Sequence, residues 1–426
     1  MQAQILLTIH IFHDIIKKMK GVLLMKNRIF SALTAFITVF SLVSCGKSSS
    51  DVTDTEINTE IIQEDENSAD DGSMRGLSAV DFAKDMGIGI NLGNTMEAFW
   101  EDKNNKTTGA SKVGDTPQDF EKCWGAVVTT QECIDGMKNA GFSTVRIPVY
   151  WGNMMADDGS FTVNEDYINR VQEIVDYCRN DDLYVVVNFH HYDEFLIKNY
   201  DKEDVLKAVD IVWEQVAEHF KDYSDYLVFE AFNEALGTPK NDTEMTEDET
   251  YAYVNEMNQH FVDTVRATGG NNSERMLIAS GYWTNIDNTT NEKFIMPKDS
   301  AEDKLMVSVH YIDNAMYWTN IVGGNKWLNY SKEQCELLKT AFTDKNIPVF
   351  VGECTSIYED DHLEKRSKGK NSSEFLKTIL DMAVDYGFVP VLWDTNNNFY
   401  SRTEYKIKSD SDQTVITEIA EKIKNK

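Results

Sequence analysis

The sequence predicts a single (β/α)8 barrel. Short apolar runs rich in β-branched and aromatic residues alternate with helix-period segments from about Gly76 to the C-terminus. Roughly eight such units spread over about 350 residues, which suits that barrel. No glycine-rich phosphate loop follows the first apolar run, which weakens the competing doubly wound sheet. Strands are expected over 88–92, 144–148, 183–189, 226–229, 276–280, 305–309, 347–351 and 388–393. Helices are expected over 130–139, 165–179, 204–221, 251–268, 332–344 and 372–386, with a closing helix over 414–424. The stretch 284–303 reads as loop.

The chain before the barrel reads as an address. Met25-Lys26-Asn27-Arg28 is a short basic region, and Ile29 to Val43 is an apolar run of signal-peptide length, too short for an ordinary membrane span. It ends in Leu42-Val43-Ser44-Cys45-Gly46, which resembles a bacterial lipoprotein box. That resemblance implies cleavage before Cys45, a lipid on its thiol, and a protein tethered outside the bacterial cell envelope. Residues 1–44 are then the signal region, with Met25 a second candidate start. Residues 45–73 follow as a lipid-anchored spacer rich in Ser, Thr, Asp and Glu. Such a composition buries too little apolar area to offset its ordering entropy, so it is expected to be disordered. Residues 74–426 are the catalytic-size domain.

The 426 residues are 42% hydrophobic, enough for a large core, and carry a net charge of −30. That balance excludes a nucleic-acid partner, since phosphate binding needs a basic face. Beyond Cys45, five cysteines remain (Cys123, Cys133, Cys178, Cys335 and Cys354), an odd number at no metal-ligand spacing.

Polar residues recur at the expected strand ends, the rim where a parallel barrel carries its chemistry. The first strand leads to Asn91, Asn94 and Glu97, and the second contains Arg146. The third ends in His190-His191, the fourth in Asn233-Glu234, and the sixth in His310-Tyr311. The seventh ends in Gly352-Glu353 and the eighth in Trp393-Asp394. Only the fifth shows nothing comparable. A histidine alone reads equally well as a core imidazole, and no His-Glu-x-x-His metal cluster is present. Arg146 lies within an apolar run, so it is expected to point into the rim against a carboxylate. Glu230, inside the fourth strand, reads as structural. Two carboxylates from distant strands, Glu234 and Glu353, point to glycoside hydrolysis: one protonates the leaving oxygen, the other attacks or activates water. No cofactor is needed for that chemistry.

The set Gly89-Ile90-Asn91-Leu92-Gly93-Asn94, Thr144-Val145-Arg146-Ile147-Pro148, Asn188-Phe189-His190-His191, Asn233-Glu234, Val307-Ser308-Val309-His310, Gly352-Glu353 and Trp393-Asp394 resembles glycoside hydrolase family five. The resemblance runs from about Met86 to the end. It implies a retaining mechanism with Glu234 as acid/base and Glu353 as nucleophile. Asn233 would bind a sugar 2-hydroxyl, and Arg146 would pair with the nucleophile. His190 and His310 would complete the polar network, Trp393 would floor the cleaved sugar, and Asn94, Glu97 and His191 would contact further sugars. It implies a β-1,4-glucan as partner, cellulose-like, xyloglucan or mixed-linkage, and a monomer. Cys123-Trp124-Gly125 through Thr129-Thr130 resembles the endoglucanase branches more than the mannanase ones.

The chain departs from the family pattern in three places. Ala235 replaces the usual proline after the acid/base, and Cys354-Thr355-Ser356 is unusual beside the nucleophile. Ile312 stands where the family has a tyrosine donating to the nucleophile, so a backbone shift must bring Tyr311 or Tyr317 there, or the contact is lost. A β-mannanase, a non-catalytic glycan-binding lipoprotein and a metal-dependent hydrolase are the competing readings.

Overall fold

In the computed structural model eight parallel strands close into a barrel in sequence order. They are β1 (Gly89–Asn91), β2 (Thr144–Ile147), β3 (Tyr184–Asn188), β4 (Leu227–Glu230), β5 (Leu277–Ser280), β6 (Leu305–His310), β7 (Val349–Thr355) and β8 (Val389–Trp393). The structure describes residues 70–100, 114–156, 158–192, 197, 200–236, 245–312, 326–355, 372–395 and 399–426. All belong to the unit Glu66–Lys426. The signal region, Cys45, spacer residues 45–69, Ser356 and Tyr317 lie outside the described residues.

Each expected strand is present. The largest displacement is in β7, which runs four residues further than the apolar pattern, so that Glu353 lies within the strand. The helices are α1 (Ala79–Met86), α2 (Pro117–Lys122), α3 (Gln131–Ala140), α4 (Glu165–Asn180), α5 (Lys202–His219), α6 (Glu247–Ala267), the single-turn α7 (Ile286–Thr289), α8 (Lys326–Ala341), α9 (Ser372–Asp385) and α10 (Asp410–Lys424). Local chemistry sets their starts. Ser78, Asn164 and Asp201 accept from the first-turn amides of α1, α4 and α5, and Thr246 with Glu249 forms a capping box on α6. At the far end of α3, Gly141 takes a φ of 105°, the left-handed cap that glycine adopts without strain.

Two apolar clusters hold the architecture. The larger packs strand faces such as Val145, Val185, Val187 and Val307 against the helices. The smaller fills the barrel with Tyr184, Val186, Val228, Ile278, Met306, Phe350, Val389 and Val391. Alternation along each strand separates the two sets. Phe82, Ala83 and Met86 of α1 join the inner cluster, so this helix, which the sequence reading passed over, packs on it. A short hairpin, β9 (Tyr400–Ser401) with β10 (Lys406–Ile407), follows β8. Cys123, Cys133, Cys178, Cys335 and Cys354 are all buried, and burial pushes the Cys133 thiol up to about 12.

The described fold includes residues 70–73, at the end of the stretch read as spacer. Asp70 is buried, and its carboxylate pairs with Arg179 at 2.8 Å and accepts from Ser224 N and Ser224 Oγ at 2.7 Å each. Arg75 reaches Asp225 at 2.8 Å, Asp85 at 2.7 Å and the Tyr184 hydroxyl at 2.6 Å. The guanidiniums of Arg75 and Arg179 each lie 4.0 Å from the Tyr226 ring centre. These contacts lie at the start of β4, away from the strand ends. Composition alone reads Asp70 as solvated because its partners are 109 and 154 residues away. Replacing Asp70 by alanine leaves the Arg179 charge buried and unpaired. Denaturant unfolding of Asp70→Ala is expected to show a loss of about 3 kcal/mol.

Candidate active site

The inner positions near the C-terminal ends of the strands are polar. Asn91 of β1, Arg146 of β2, Asn188 of β3, Glu230 of β4 and Ser308 of β6 are all fully buried. Arg146 joins them. Its Nε donates to Glu230 at 2.7 Å, Nη1 to Asn91 at 2.9 Å and to Glu353 at 3.3 Å, and Nη2 to the Asn233 side-chain oxygen at 3.0 Å. Glu230 also accepts from Ser308 Oγ at 2.7 Å and Asn188 Nδ2 at 3.2 Å. Burial works to lower the Arg146 pKa, but the charges of Glu230 and Glu353 outweigh it and the value ends above that of free arginine. A permanent cation therefore sits under the rim.

Above this floor, β4 delivers Asn233 and Glu234. The Asn233 oxygen is taken by Arg146, which leaves its amide hydrogens to face the cleft. Glu234 has a φ of 41° and its side chain is 38% exposed. The turn around it is held by Leu236 N donating to Tyr192 Oη at 2.8 Å and Trp283 N donating to Ala235 O at 2.8 Å. These bonds brace the turn where proline is missing. Glu353 lies opposite, its side chain only 6% exposed. One oxygen of Glu234, one of Glu353 and a ring nitrogen of His310 lie within 4.8 Å of one another.

The tyrosine question resolves through a register shift. The β6–β7 pairing slips between Val309 and His310, so that His310 lies opposite Glu353, and the β7–β8 pairing slips between Val351 and Cys354. Such irregularities re-aim side chains at a barrel rim. Tyr311 takes a φ of 52°, its amide donates to Glu353 O at 2.8 Å, and its hydroxyl donates to Glu353 Oε2 at 2.6 Å. Ile312 is fully buried in the outer core instead. Gly352 makes room here: a Cβ on it would come 3.1 Å from His310 Nε2 and 3.3 Å from Glu230 Oε1. His310 Nδ1 faces Glu234 at 3.3 Å and Glu353 at 3.7 Å, while Nε2 is buried without a partner. That geometry assigns the ring proton to Nδ1.

Trp393 ends β8 with its ring near parallel to His190, at 14° and 6.3 Å. Burial, then His191, Arg146 and His310, hold the His190 pKa well below the usual imidazole range. Burial lowers His191 to about 4 against the pull of Glu353. Both rings are neutral near pH 7. His191 packs edge-on against Phe99, 5.2 Å between centres, and its Nε2 is buried without a partner. Glu97 is 1% exposed and accepts from Asn94 N and Thr95 N, so it shapes the turn that presents Asn94. Burial raises its pKa to about 7 against those two amides.

The structure thus gathers Arg146, His190, Asn233, Glu234, His310, Tyr311, Glu353 and Trp393 at one rim, with Asn94 and His191 beside them and Glu97 behind. The sequence reading missed Trp283. It follows β5, the one strand end that looked empty, and is 44% exposed with a φ of 53°. Its tether to Ala235 places it next to Glu234. A tryptophan three residues past a strand was the available signal. Seven non-glycine residues with left-handed φ (Asn94, His191, Glu234, Leu236, Trp283, Thr284 and Tyr311) follow strand ends, the strain expected where geometry is imposed for function.

A barrel with two facing carboxylates at its C-terminal rim defines a glycoside hydrolase site. Residues 102–399 match the model of the cellulase family, glycosyl hydrolase family 5. Endoglucanase A of Clostridium longisporum is 36% identical over 76% of this chain and 60% of its own length. Endoglucanase A of Paenibacillus barcinonensis is 34% identical over 76% of this chain and 84% of its own. A solved broad-specificity endoglucanase from an uncultured bovine rumen ciliate superposes with a TM-score of 0.69 at 33% identity, covering 81% of this chain and 99% of that one. The Bacteroides ovatus family 5 xyloglucanase, solved with a XXXG heptasaccharide, gives 0.69 at 26% identity, covering 82% and 77%. The chain belongs to glycosyl hydrolase family 5, as a glycoside hydrolase of the endo-β-1,4-glucanase type.

Two predictions test this geometry. Tyr311→Phe removes a donor to a charged carboxylate, and kcat on a soluble glucan is expected to fall roughly tenfold to a hundredfold with the fold intact. His191 is neutral when folded but takes a proton below about 6.5 when unfolded. The unfolded chain therefore binds more protons between about 6.5 and the folded value of about 4, and stability is lost as pH falls through that window. Melting curves from pH 7 to 4.5 are expected to decline less steeply for His191→Phe, by on the order of 1–2 kcal/mol.

Proposed function

We propose that this protein is an endo-acting, retaining β-1,4-glucanase that works by double displacement. The observation that carries the reading is the close approach of the Glu234 and Glu353 carboxyl groups, with oxygens within 4.8 Å. Retaining enzymes hold the pair about 5–5.5 Å apart, whereas inverting ones leave about 6.5–9.5 Å for a water. Glu353 is the nucleophile, because it is the more buried and is held by Arg146 and Tyr311. Its oxygen bonds to the anomeric carbon as Glu234 protonates the departing glycosidic oxygen. Glu234 then takes a proton from water, which attacks the same carbon and releases the Glu353 carboxylate. Asn233 donates to the sugar 2-hydroxyl, and Trp393 floors the cleaved unit. Asn94 and His191 contact further sugars, and Glu97 supports Asn94. Trp283, beside the acid/base, is a stacking face on the leaving-group side.

The substrate proposed is a cellulose-like, xyloglucan or mixed-linkage β-1,4-glucan. It is cut by a monomer without a cofactor and outside the cell, where Cys45 holds the protein to the envelope through lipid. The relatives support this breadth: one is named a xyloglucan-specific endo-β-1,4-glucanase and another a broad-specificity endoglucanase. Mass spectrometry of the mature N-terminal peptide tests the anchor, since an unmodified Cys45 refutes it. Persistence of activity after chelation is expected.

NMR of the first-formed product is expected to show the β anomer, and an α product excludes retention. Glu353→Ala is expected to leave almost no turnover, a loss of order 10⁴-fold or more. Glu234→Ala should retain turnover on aryl glycosides with good leaving groups and be rescued by azide. Full activity of that variant on polymer removes the acid/base assignment. Absence of reducing ends from every glucan, with release from mannan, would favour the mannanase reading.

A further inference from the structure

A third carboxylate lies beneath the reacting pair with no part in the steps above. Glu230 is fully buried, and its two oxygens are engaged by Arg146, Asn188 and Ser308. The single guanidinium of Arg146 therefore serves two carboxylates, Glu230 at 2.7 Å and Glu353 at 3.3 Å. The shorter and better buried contact goes to Glu230. We propose that Glu230 is a positioning residue for the nucleophile: it holds Arg146 by Nε and takes most of that cation's charge, so that Glu353 is oriented without being fully neutralised.

A nucleophile that holds a guanidinium to itself loses basicity and must break a strong charge-assisted bond to attack. Sharing the cation weakens that hold while Nη1 still fixes the direction of the Glu353 oxygen. In the covalent intermediate Glu353 becomes a neutral ester, with the new bond made to the sugar carbon and the glycosidic bond broken. Without Glu230, Arg146 would then be an unpaired buried cation, and in the transition states on either side it would lie below an oxocarbenium-like sugar, which is strongly unfavourable. With Glu230, the guanidinium stays paired through both displacements. Ser308 and Asn188 also donate to Glu230, so three buried donors hold the carboxylate in place.

The groups around the pair are few. Glu230 faces Arg146 from β2, Asn188 from β3, Ser308 from β6 and the bare Gly352 position of β7, and its β5 neighbour Ile278 is apolar. Glu353 faces Arg146, Tyr311, His310 and Glu234, and His191 from the end of β3 lies within its electrostatic reach. Removing the Glu230 charge alone should therefore reach Glu353 through Arg146.

This inference rests on the double-displacement reading, which the product anomer tests separately. The test here is the pH dependence of kcat/KM for Glu230→Gln, with thermal melts to confirm folding. The isosteric amide keeps the shape and the Ser308 contact but transfers the Arg146 charge to Glu353. The acidic limb is expected to move to lower pH by about one unit, and kcat to fall at least about tenfold. A folded Glu230→Gln enzyme with an unmoved acidic limb overturns the proposal, since a space-filling role would not touch that limb. Should the variant not fold, carbon-13 titration of glutamate side chains in the wild type decides. Glu230 is required to remain a carboxylate across the range in which activity falls, and a Glu230 signal that titrates with activity overturns the proposal.

Discussion

The buried guanidinium of Arg146 is the interaction on which the site depends. It meets four side chains from three other strands or their ends: Asn91 from β1, Glu230 and Asn233 from β4, and Glu353 from β7. A cation inside a barrel is tolerated only when every donor is used and its charge is paired. Arg146 makes four side-chain hydrogen bonds and pairs with two carboxylates, and the planar fork of its donors converts that requirement into geometry. A lysine would satisfy the charge but hold only a point.

The second constraint is backbone. Strict alternation of a parallel strand would turn Glu353 outward once Gly352 points in. The register slips at β6–β7 and β7–β8 break that alternation at Glu353. They also carry Tyr311 to Glu353 and let Ile312 sink into the outer core. The departure from the family pattern at Ile312 is thus a shift of one residue, with the hydroxyl still delivered. Left-handed backbone at Glu234, Leu236, Trp283 and Tyr311 belongs to the same rim. At about 1–3 kcal/mol for each such residue, it persists because hydrogen bonds to Tyr192, Ala235 and Glu353 hold the turns.

Much of this was legible in the chain. Apolar runs of four to seven residues alternating with helix-period segments specify strands covered on both faces, and the parallel barrel follows. Polar residues at seven strand ends marked the rim, because side chains there need not be apolar. Reading failed where partners are remote in sequence. Asp70 was placed in a solvated spacer because Arg179 and Ser224 are not visible from its neighbours. Helix α1 is short and follows that acidic stretch, so its role on the inner cluster did not stand out. Trp283 was hidden by a loop-like context, and only its tether to Ala235 reveals its place.

The sequence by itself determined the barrel and singled out Glu234 and Glu353 as candidate carboxylates at strand ends, because strand periodicity and residue type are local properties. Tertiary structure decided the rest. The separation of Glu234 from Glu353, the choice of Tyr311 over Ile312 and the sharing of Arg146 between Glu230 and Glu353 depend on register across strands. Register is set by the closure and packing of the whole barrel, which no single stretch of chain contains.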